Sequence, residues 1–363
     1  MKDVLHIVSS LVRAGAENIV YELVKFSPDD IDSTVISLAG EGYFAKYIRL
    51  CGAKVYGINM RKINNIFRFI YLINAVKRDA IYLHMYHSML LGEFFDLRHL
   101  KTKKIWCFHH ESPRSMSIKG VTAFIVYILM LISKIRKPKA VFLSKKAYEY
   151  HCDFGFSFSE IKIINNGVDL ERFRIDIDTR DQVRRTNDLE KTFVIGNVAR
   201  WNPIKNHEFL FKIVSRLTFS NFKLILSGVD MDYKNPDLAR LIKKYELEDK
   251  VILFGERDDI HELMCSFDLH ILTSKMEGFG LVTAEAMACG VPCLSTDVGC
   301  QREIISSFGF VGSELEPDCF IEYISKIYSM ASIEKEKLSY QSRNHIEKFY
   351  NTRNMARDYI TFA

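Results

Sequence analysis

Proline and glycine are scarce in this chain, with 7 prolines and 18 glycines in 363 residues. That excludes collagen-like and proline-rich architectures. Cysteine is sparse too: the eight thiols, at 51, 107, 152, 265, 289, 293, 300 and 319, are too few for a disulfide scaffold. There is no Cys-x-x-Cys pair, and the 289/293/300 cluster has no nearby histidine, so no zinc site is expected. Reduced thiols in a cytoplasmic protein are the expectation. Long apolar runs are also missing. The longest, residues 121–132 (VTAFIVYILMLI), has twelve residues, whereas a bilayer span needs about 20. The opening MKDVLHIV is followed by Ser-Ser and reads as a buried strand rather than a secretory leader.

Apolar residues make up 48% and charged residues 26%, a globular composition, and the length suggests two domains. The net charge of +5 is unevenly spread. Residues 1–170 hold 24 Lys+Arg against 15 Asp+Glu, and residues 171–363 hold 26 against 30. A basic first half is compatible with a phosphate-bearing substrate, an anionic membrane surface or nucleic acid. No zinc finger, aromatic RNA motif or basic recognition helix accompanies it, so nucleic acid is not an expected partner.

Short apolar runs alternate with amphipathic helical patterns in both halves. Residues 4–8, 34–38, 81–85, 105–108, 140–143 and 161–164 read as strands in the first half. Residues 193–197, 223–227, 251–254, 269–272 and 292–295 do so in the second. Helical patterns cover 16–26, 66–78, 207–217 and 281–289, and the alternation predicts parallel sheets covered on both faces. The charged stretch 171–190 (ERFRIDIDTRDQVRRTNDLE) reads as a surface connection. The expected organisation is α/β, with two Rossmann-like parallel-sheet domains, 1–170 and 171–345, facing a central cleft. A helical tail, 346–363, is expected to pack back on the first domain.

Gly40-Glu41-Gly42 follows a strand and opens a helix, as a dinucleotide fingerprint does. No Asp or Glu lies between Gly42 and Arg78 to hold a ribose, so a nicotinamide site is not expected there. The strongest signal is residues 273–290, TSKMEGFGLVTAEAMACG. Two carboxylates, Glu277 and Glu285, stand eight residues apart around a glycine turn, Gly278-Phe279-Gly280, which leads into a helix at Leu281. Such a turn offers free backbone N–H groups and a positive helix end to an anion, and carboxylates accept from sugar hydroxyls.

That segment resembles the E-x7-E signature of the retaining glycosyltransferases of family 4, which have the GT-B fold. The likeness continues along the chain. Residues 9–17 (SSLVRAGAE) resemble the family's first glycine-rich loop, with Gly15 and Glu17 matching. Asn166-Gly167-Val168-Asp169 resembles its NGVD segment. Arg200 and Lys205 resemble the basic pair that grips the donor diphosphate. Residues 251–260, Asp268, Asp297-Val298-Gly299, Glu303 and the tail 340–363 also match.

The resemblance implies a retaining, cofactor-free sugar transfer from a nucleotide-diphosphate sugar; metal independence is expected because Arg200 and Lys205 can take the charge a metal would, and a UDP-sugar is the favoured donor with GDP-mannose the alternative. It implies a donor site of Gly15, Arg200, Lys205, Glu277, Gly278, Phe279, Gly280, Leu281 and Glu285. His109 or His110, at a strand end, is expected near the transferred sugar, and Glu277 is expected to serve turnover. His84 and His87 are weaker candidates. The acceptor is expected on the first domain. There the apolar run 121–132 and the cations Lys62, Arg68, Lys77, Arg78, Arg98, Lys101, Lys103, Lys104, Lys134, Arg136, Lys137 and Lys139 suggest an anionic membrane surface. That points to a polyprenyl-diphosphate-linked saccharide of a bacterial surface polysaccharide, and to a place on the inner face of the plasma membrane. A nucleotide-sugar epimerase of the same two-domain build is the rival reading.

Overall fold

The structure is a computed structural model that describes residues 2–60, 62, 64–97, 103–114, 120–313 and 316–362. It divides into two compact units, Met1–Gly167 with Thr352–Ala363, and Val168–Asn351.

In unit 1 the strands among the described residues are β1 (Lys2–Val8), β2 (Ile31–Ser37), β3 (Lys54–Gly57), β4 (Ala80–His84), β5 (Lys103–Phe108), β6 (Lys139–Phe142) and β7 (Glu160–Ile163). They form one parallel sheet in the order β3-β2-β1-β4-β5-β6-β7. The central strands are apolar on both faces because helices cover both, as parallel sheets require. Val4, Tyr82, Ile105, Cys107 and Val141 pack under Ile19 and Leu23 of the helix Gly15–Lys25 and under Met355, Ala356 and Tyr359 of the helix Thr352–Phe362. The Tyr82 hydroxyl donates to the carbonyl of Tyr359. The order reverses between β1 and β4, which places a ligand crevice at their carboxyl ends.

In unit 2 the described strands are β8 (Phe193–Val198), β9 (Phe222–Ser227), β10 (Val251–Gly255), β11 (Leu269–Leu272), β12 (Cys293–Thr296) and β13 (Gly309–Gly312). Their order is β10-β9-β8-β11-β12-β13, also parallel, and it reverses between β8 and β11. The core joins Ile195, Leu224, Leu226 and Ile271 to Phe209, Leu210, Phe320 and Ile324 of flanking helices.

Three expectations need correction. Residues 171–190 are more than a surface connection, because they contain the helix Ile177–Thr186. Arg180 and Arg184 of that helix reach Asp268, which also accepts from the Val194 N–H, so the charges tie the helix to the amino ends of the central strands β8 and β11. The tail is not one helix. The helix Ser332–Phe349 ends before Tyr350, and a second helix, Thr352–Phe362, follows. The units therefore divide at Gly167/Val168 and Asn351/Thr352 rather than at 170/171 and 345/346. Val168 forms a bridge to Asn351 and donates to the Tyr350 carbonyl, which keeps both segments in unit 2.

Candidate donor site and the unit 1 histidines

In unit 2 the chain leaves β11 and makes the turn 273–280 before the helix Leu281–Ala288. Glu277 lies in that turn with its side chain 13% exposed. Its Oε1 accepts from Lys205 Nζ at 2.6 Å and from Ser274 Oγ at 2.5 Å. Lys205 ends a short 3-10 turn, Pro203–Lys205, after β8. Two further bonds clamp this turn to the segment after β11: Lys275 N–H to the Ile204 carbonyl at 2.7 Å, and the Thr273 hydroxyl to the Lys205 carbonyl at 3.1 Å. Two loops from neighbouring strands thus hold one ion pair.

Gly280 caps the helix with φ +87, and a Cβ there would lie 1.8 Å from Gln301 Nε2. That amide donates to the Phe279 carbonyl at 3.1 Å. Gly299, at φ +56, brings its own loop against the carbonyl of Glu277. Any side chain at either position would force the 277–281 turn open. The N–H groups of Leu281 and Val282 have no partner among the described residues and are left for a ligand or water, whereas that of Thr283 donates to the Gly280 carbonyl at 3.0 Å.

Glu285 sits one turn into the helix, half-buried. Its carboxylate has no hydrogen-bond partner among the described residues. Burial pushes its pKa up to about 7, and Arg172 opposes that only in part. Arg200 is exposed and has no ion pair among the described residues. Phe279, expected in the donor site, belongs to this turn through its backbone. Its ring is 3% exposed and packs edge-on to Tyr350, so it anchors the turn from within the core.

In unit 1, Gly15 opens the helix Gly15–Lys25, and a Cβ there would meet nothing within 4 Å. Glu17 in the same turn is buried and accepts from Ser10 Oγ. His109 and His110 follow β5. His110 stacks flat on Tyr86 at 5.6 Å. His109 Nε2 lies 2.9 Å from Nδ1 of His84, and His84 Nε2 lies 3.0 Å from Nδ1 of His6. Burial, and then the neighbouring His110, push the His109 pKa down to about 3, so the ring is neutral. His87 is exposed and joins none of these bonds. Sequence reading did not single out Ser274 or His6. A Ser-x-x-Glu spacing was the signal for the first, and an apolar strand around a lone histidine gave none for the second.

The helix Val121–Arg136 contains the apolar run and is two-faced. Ile125, Val126, Leu129 and Met130 are buried, whereas Phe124 is 65%, Tyr127 52%, Leu131 44% and Ile135 84% exposed. Lys134, Arg136 and Lys137 beside them are exposed as well. Two expected rim cations are not on the surface. Arg78 is buried in an ion pair with Asp96, and Lys104, 10% exposed, lies near Glu93 and Asp96. Arg98 and Lys101 lie outside the described residues. Among the described residues, no helix is long and apolar enough to cross a membrane.

The sequence model of the family described as "Glycosyl transferases group 1" matches residues 178–345, and that of "Glycosyltransferase Family 4" matches residues 13–172. EpsF of Bacillus subtilis, which carries a glycosyltransferase name, is 25% identical over 82% of this chain and 79% of its own. The Escherichia coli UDP-Gal:alpha-D-GlcNAc-diphosphoundecaprenol alpha-1,3-galactosyltransferase is 26% identical over 54% of this chain and 51% of its own. The crystal structure of HepE from Anabaena with UDP and glucose shares the fold, with a TM-score of 0.85 at 19% identity over 99% of both chains.

Proposed function

Because the chain belongs to the glycosyltransferases described by those two families, and its two parallel-sheet units have the GT-B fold, we propose that it is a retaining, metal-independent enzyme. It transfers a sugar from a UDP-sugar to a saccharide acceptor carried on a polyprenyl diphosphate. The observation that carries this reading is the Lys205–Glu277–Ser274 cluster beside the glycine turn. It sets a cation and a carboxylate side by side at the carboxyl ends of β8 and β11, where open α/β sheets bind ligands.

Each residue then has a task. Arg200 and Lys205 meet the diphosphate, whose negative charge grows as the glycosidic bond breaks. Preorganised cations act where charge develops, so they speed the step itself. Glu277 accepts from hydroxyls of the transferred sugar. Glu285, whose carboxylate lone pairs have no donor among the described residues, accepts from the ribose hydroxyls. The N–H groups after Gly278, Gly280 and Leu281 face phosphate oxygens, and Gly15 leaves room for substrate beside the backbone of unit 1. His109 meets a hydroxyl of the transferred sugar. The acceptor oxygen attacks the anomeric carbon from the face the diphosphate leaves. The new glycosidic bond forms as the C–O bond to phosphate breaks, and the departing phosphate oxygen takes the acceptor proton. Glu277 is occupied by Lys205 and Ser274, so it is ill placed to act as the covalent nucleophile of a double displacement.

Asp-x-Asp runs do occur, at Asp30/Asp32, Asp176/Asp178 and Asp230/Asp232. Asp176 caps a helix by accepting from the Thr179 N–H, and Asp232 accepts from the Lys234 N–H. Metal independence is therefore inferred from the two cations. The names of relatives support the choice of substrates. The E. coli relative is named for a UDP-sugar donor and a diphosphoundecaprenol acceptor, and a Campylobacter jejuni relative for a diphospho-undecaprenol acceptor. The exposed stripe Phe124, Tyr127, Leu131 and Ile135 with Lys134 and Lys137 supports peripheral attachment to an anionic membrane.

The test is incubation with UDP-sugars, with and without a polyprenyl-diphosphate-linked saccharide. Acceptor-dependent release of UDP with a lengthened saccharide is expected. Epimerised nucleotide sugar in the absence of acceptor would support the rival reading instead.

A further inference from the structure

Three histidines that lie far apart in sequence meet at the carboxyl ends of three adjacent strands of unit 1. His6 belongs to β1, His84 ends β4, and His109 follows β5. The parallel register explains the meeting. Val8 pairs with His84 and His84 with Cys107, so each histidine lies two residues further along than the partner of the one before. The rings lie nearly parallel, at 5.3 Å and 26° for the first pair and 5.2 Å and 19° for the second. Both links run head to tail in the same sense, from Nδ1 of one ring to Nε2 of the next.

A neutral imidazole has one N–H and one bare nitrogen. His84 uses both nitrogens within the ladder. If its Nδ1 donates to His109, its Nε2 must accept from Nδ1 of His6. If its Nδ1 accepts, its Nε2 must donate. The ladder therefore has two states only, all three protons on Nδ1 or all three on Nε2. In both, Nε2 of His109 is occupied and Nδ1 is the nitrogen left for substrate. We propose that His84 and His6 are positioning residues for His109, fixing its ring and coupling its tautomer to theirs, so that all three rings carry the proton on the same nitrogen.

Two further observations support this. Met85, directly after His84, has φ +70, a conformation that non-glycine residues avoid. Such strain persists where the surroundings hold it and clusters at functional sites. Here Ser88 Oγ donates to the carbonyls of both His84 and Met85, fixing the strand-to-helix corner that aims the His84 ring. The second is a contrast with His110, whose ring has no hydrogen bond among the described residues and only stacks on Tyr86. Of the two strand-end histidines, His109 is the one whose orientation is fixed by hydrogen bonds. Burial lowers the pKa of all three, which keeps the ladder neutral at neutral pH.

The role in transfer rests on the proposal that His109 meets the transferred sugar, whereas the shared tautomer does not. The test is a long-range 1H–15N spectrum of protein labelled in histidine, recorded alone and with a UDP-sugar. His6, His84 and His109 should carry the proton on the same ring nitrogen, and ligand should shift all three together. Different tautomers within the three would overturn the ladder. His84→Phe keeps an aromatic ring and removes both nitrogens. It should uncouple the His109 tautomer from that of His6 and lower kcat about 10- to 100-fold, as the loss of partners that fix a histidine does elsewhere. KM for the UDP-sugar should stay within about twofold, since the ladder orients a group rather than binding the nucleotide. A folded His84→Phe enzyme with wild-type kcat would overturn the positioning role. If that variant does not fold, the wild-type spectrum alone decides the ladder. A His109→Ala enzyme with full transfer would overturn the role through the reading it rests on, and would leave the shared tautomer standing.

Discussion

Lys205 Nζ donates to Glu277 Oε1 across 2.6 Å, and both side chains are largely buried, at 21% and 13% exposed. The two residues come from loops that follow neighbouring strands, so the pair exists only when β8 and β11 are aligned. In the free protein each charge neutralises the other. A bound nucleotide sugar offers the lysine a diphosphate and the glutamate a sugar hydroxyl. The pair therefore readies the site without leaving either charge alone in a poorly hydrated place.

Lys205→Ala and Glu277→Ala should each lower kcat about 10- to 150-fold, the effect of losing a charged hydrogen bond worth roughly 1.5–3 kcal/mol. KM for the nucleotide sugar should rise less. Because each single change also strands the partner's charge, the double variant should lose less than the product of the two losses. Steady-state kinetics on the four proteins measures this directly.

Glu285 should make nucleotide affinity depend on pH. Its pKa in the free protein is pushed up to about 7, and the ionised form is the better acceptor for ribose hydroxyls. Affinity for a UDP-sugar, whose diphosphate diester does not titrate in this range, should rise with pH up to about 7 and level off above it. The limiting slope is tenfold per unit. Stability should run the other way. The folded protein holds this proton more tightly than the unfolded chain, so stability falls as pH rises from the usual carboxylate range through 7. Calorimetric titrations between pH 5.5 and 8 should show the slope in wild type and its loss in Glu285→Gln.

Arg200 has no carboxylate partner among the described residues, which leaves it for the diphosphate. Arg200→Ala should lower kcat more than it raises KM, because the charge it meets grows in the transition state. Transfer should survive EDTA. Activity lost in EDTA and restored by Mg2+ would show that a metal does what we give to Arg200 and Lys205.

Phe124, Tyr127 and Leu131 stand outward on their helix, whereas Ile125, Val126 and Leu129 face the core. Changing the outer three to Ser should leave thermal stability nearly unchanged and weaken sedimentation with anionic vesicles. Changing Leu129 to Ala should cost about 2–5 kcal/mol instead. Vesicle binding of the wild type should fall as salt rises, because nearby cations contribute about 1 kcal/mol each on anionic lipid.

The strands with apolar runs were legible in the sequence because burial on both faces leaves a continuous signal, as in β1 and β8. Two strands gave no such signal. β3 (KVYG) is an edge strand with an exposed lysine, and β13 (GFVG) begins and ends in glycine. The glutamate pair and the glycine turn were legible as a motif. The Lys205–Glu277 contact was not, since its residues lie 72 positions apart and depend on strand order. Neither was the core role of Phe279 or the burial of Arg78, because a residue type does not reveal which face of its element it occupies. The division at Asn351 escaped for a similar reason: a two-residue break between two polar helices leaves little trace in composition.

The most direct measurement is the anomeric configuration of the product. Transfer from an α-linked UDP-sugar, followed by 1H NMR from the first turnovers, should give an α-glycoside on the lipid-linked saccharide, and Glu277→Ala should make the same product more slowly. A β-glycoside would contradict the front-face displacement that we assign to the site around Lys205 and Glu277.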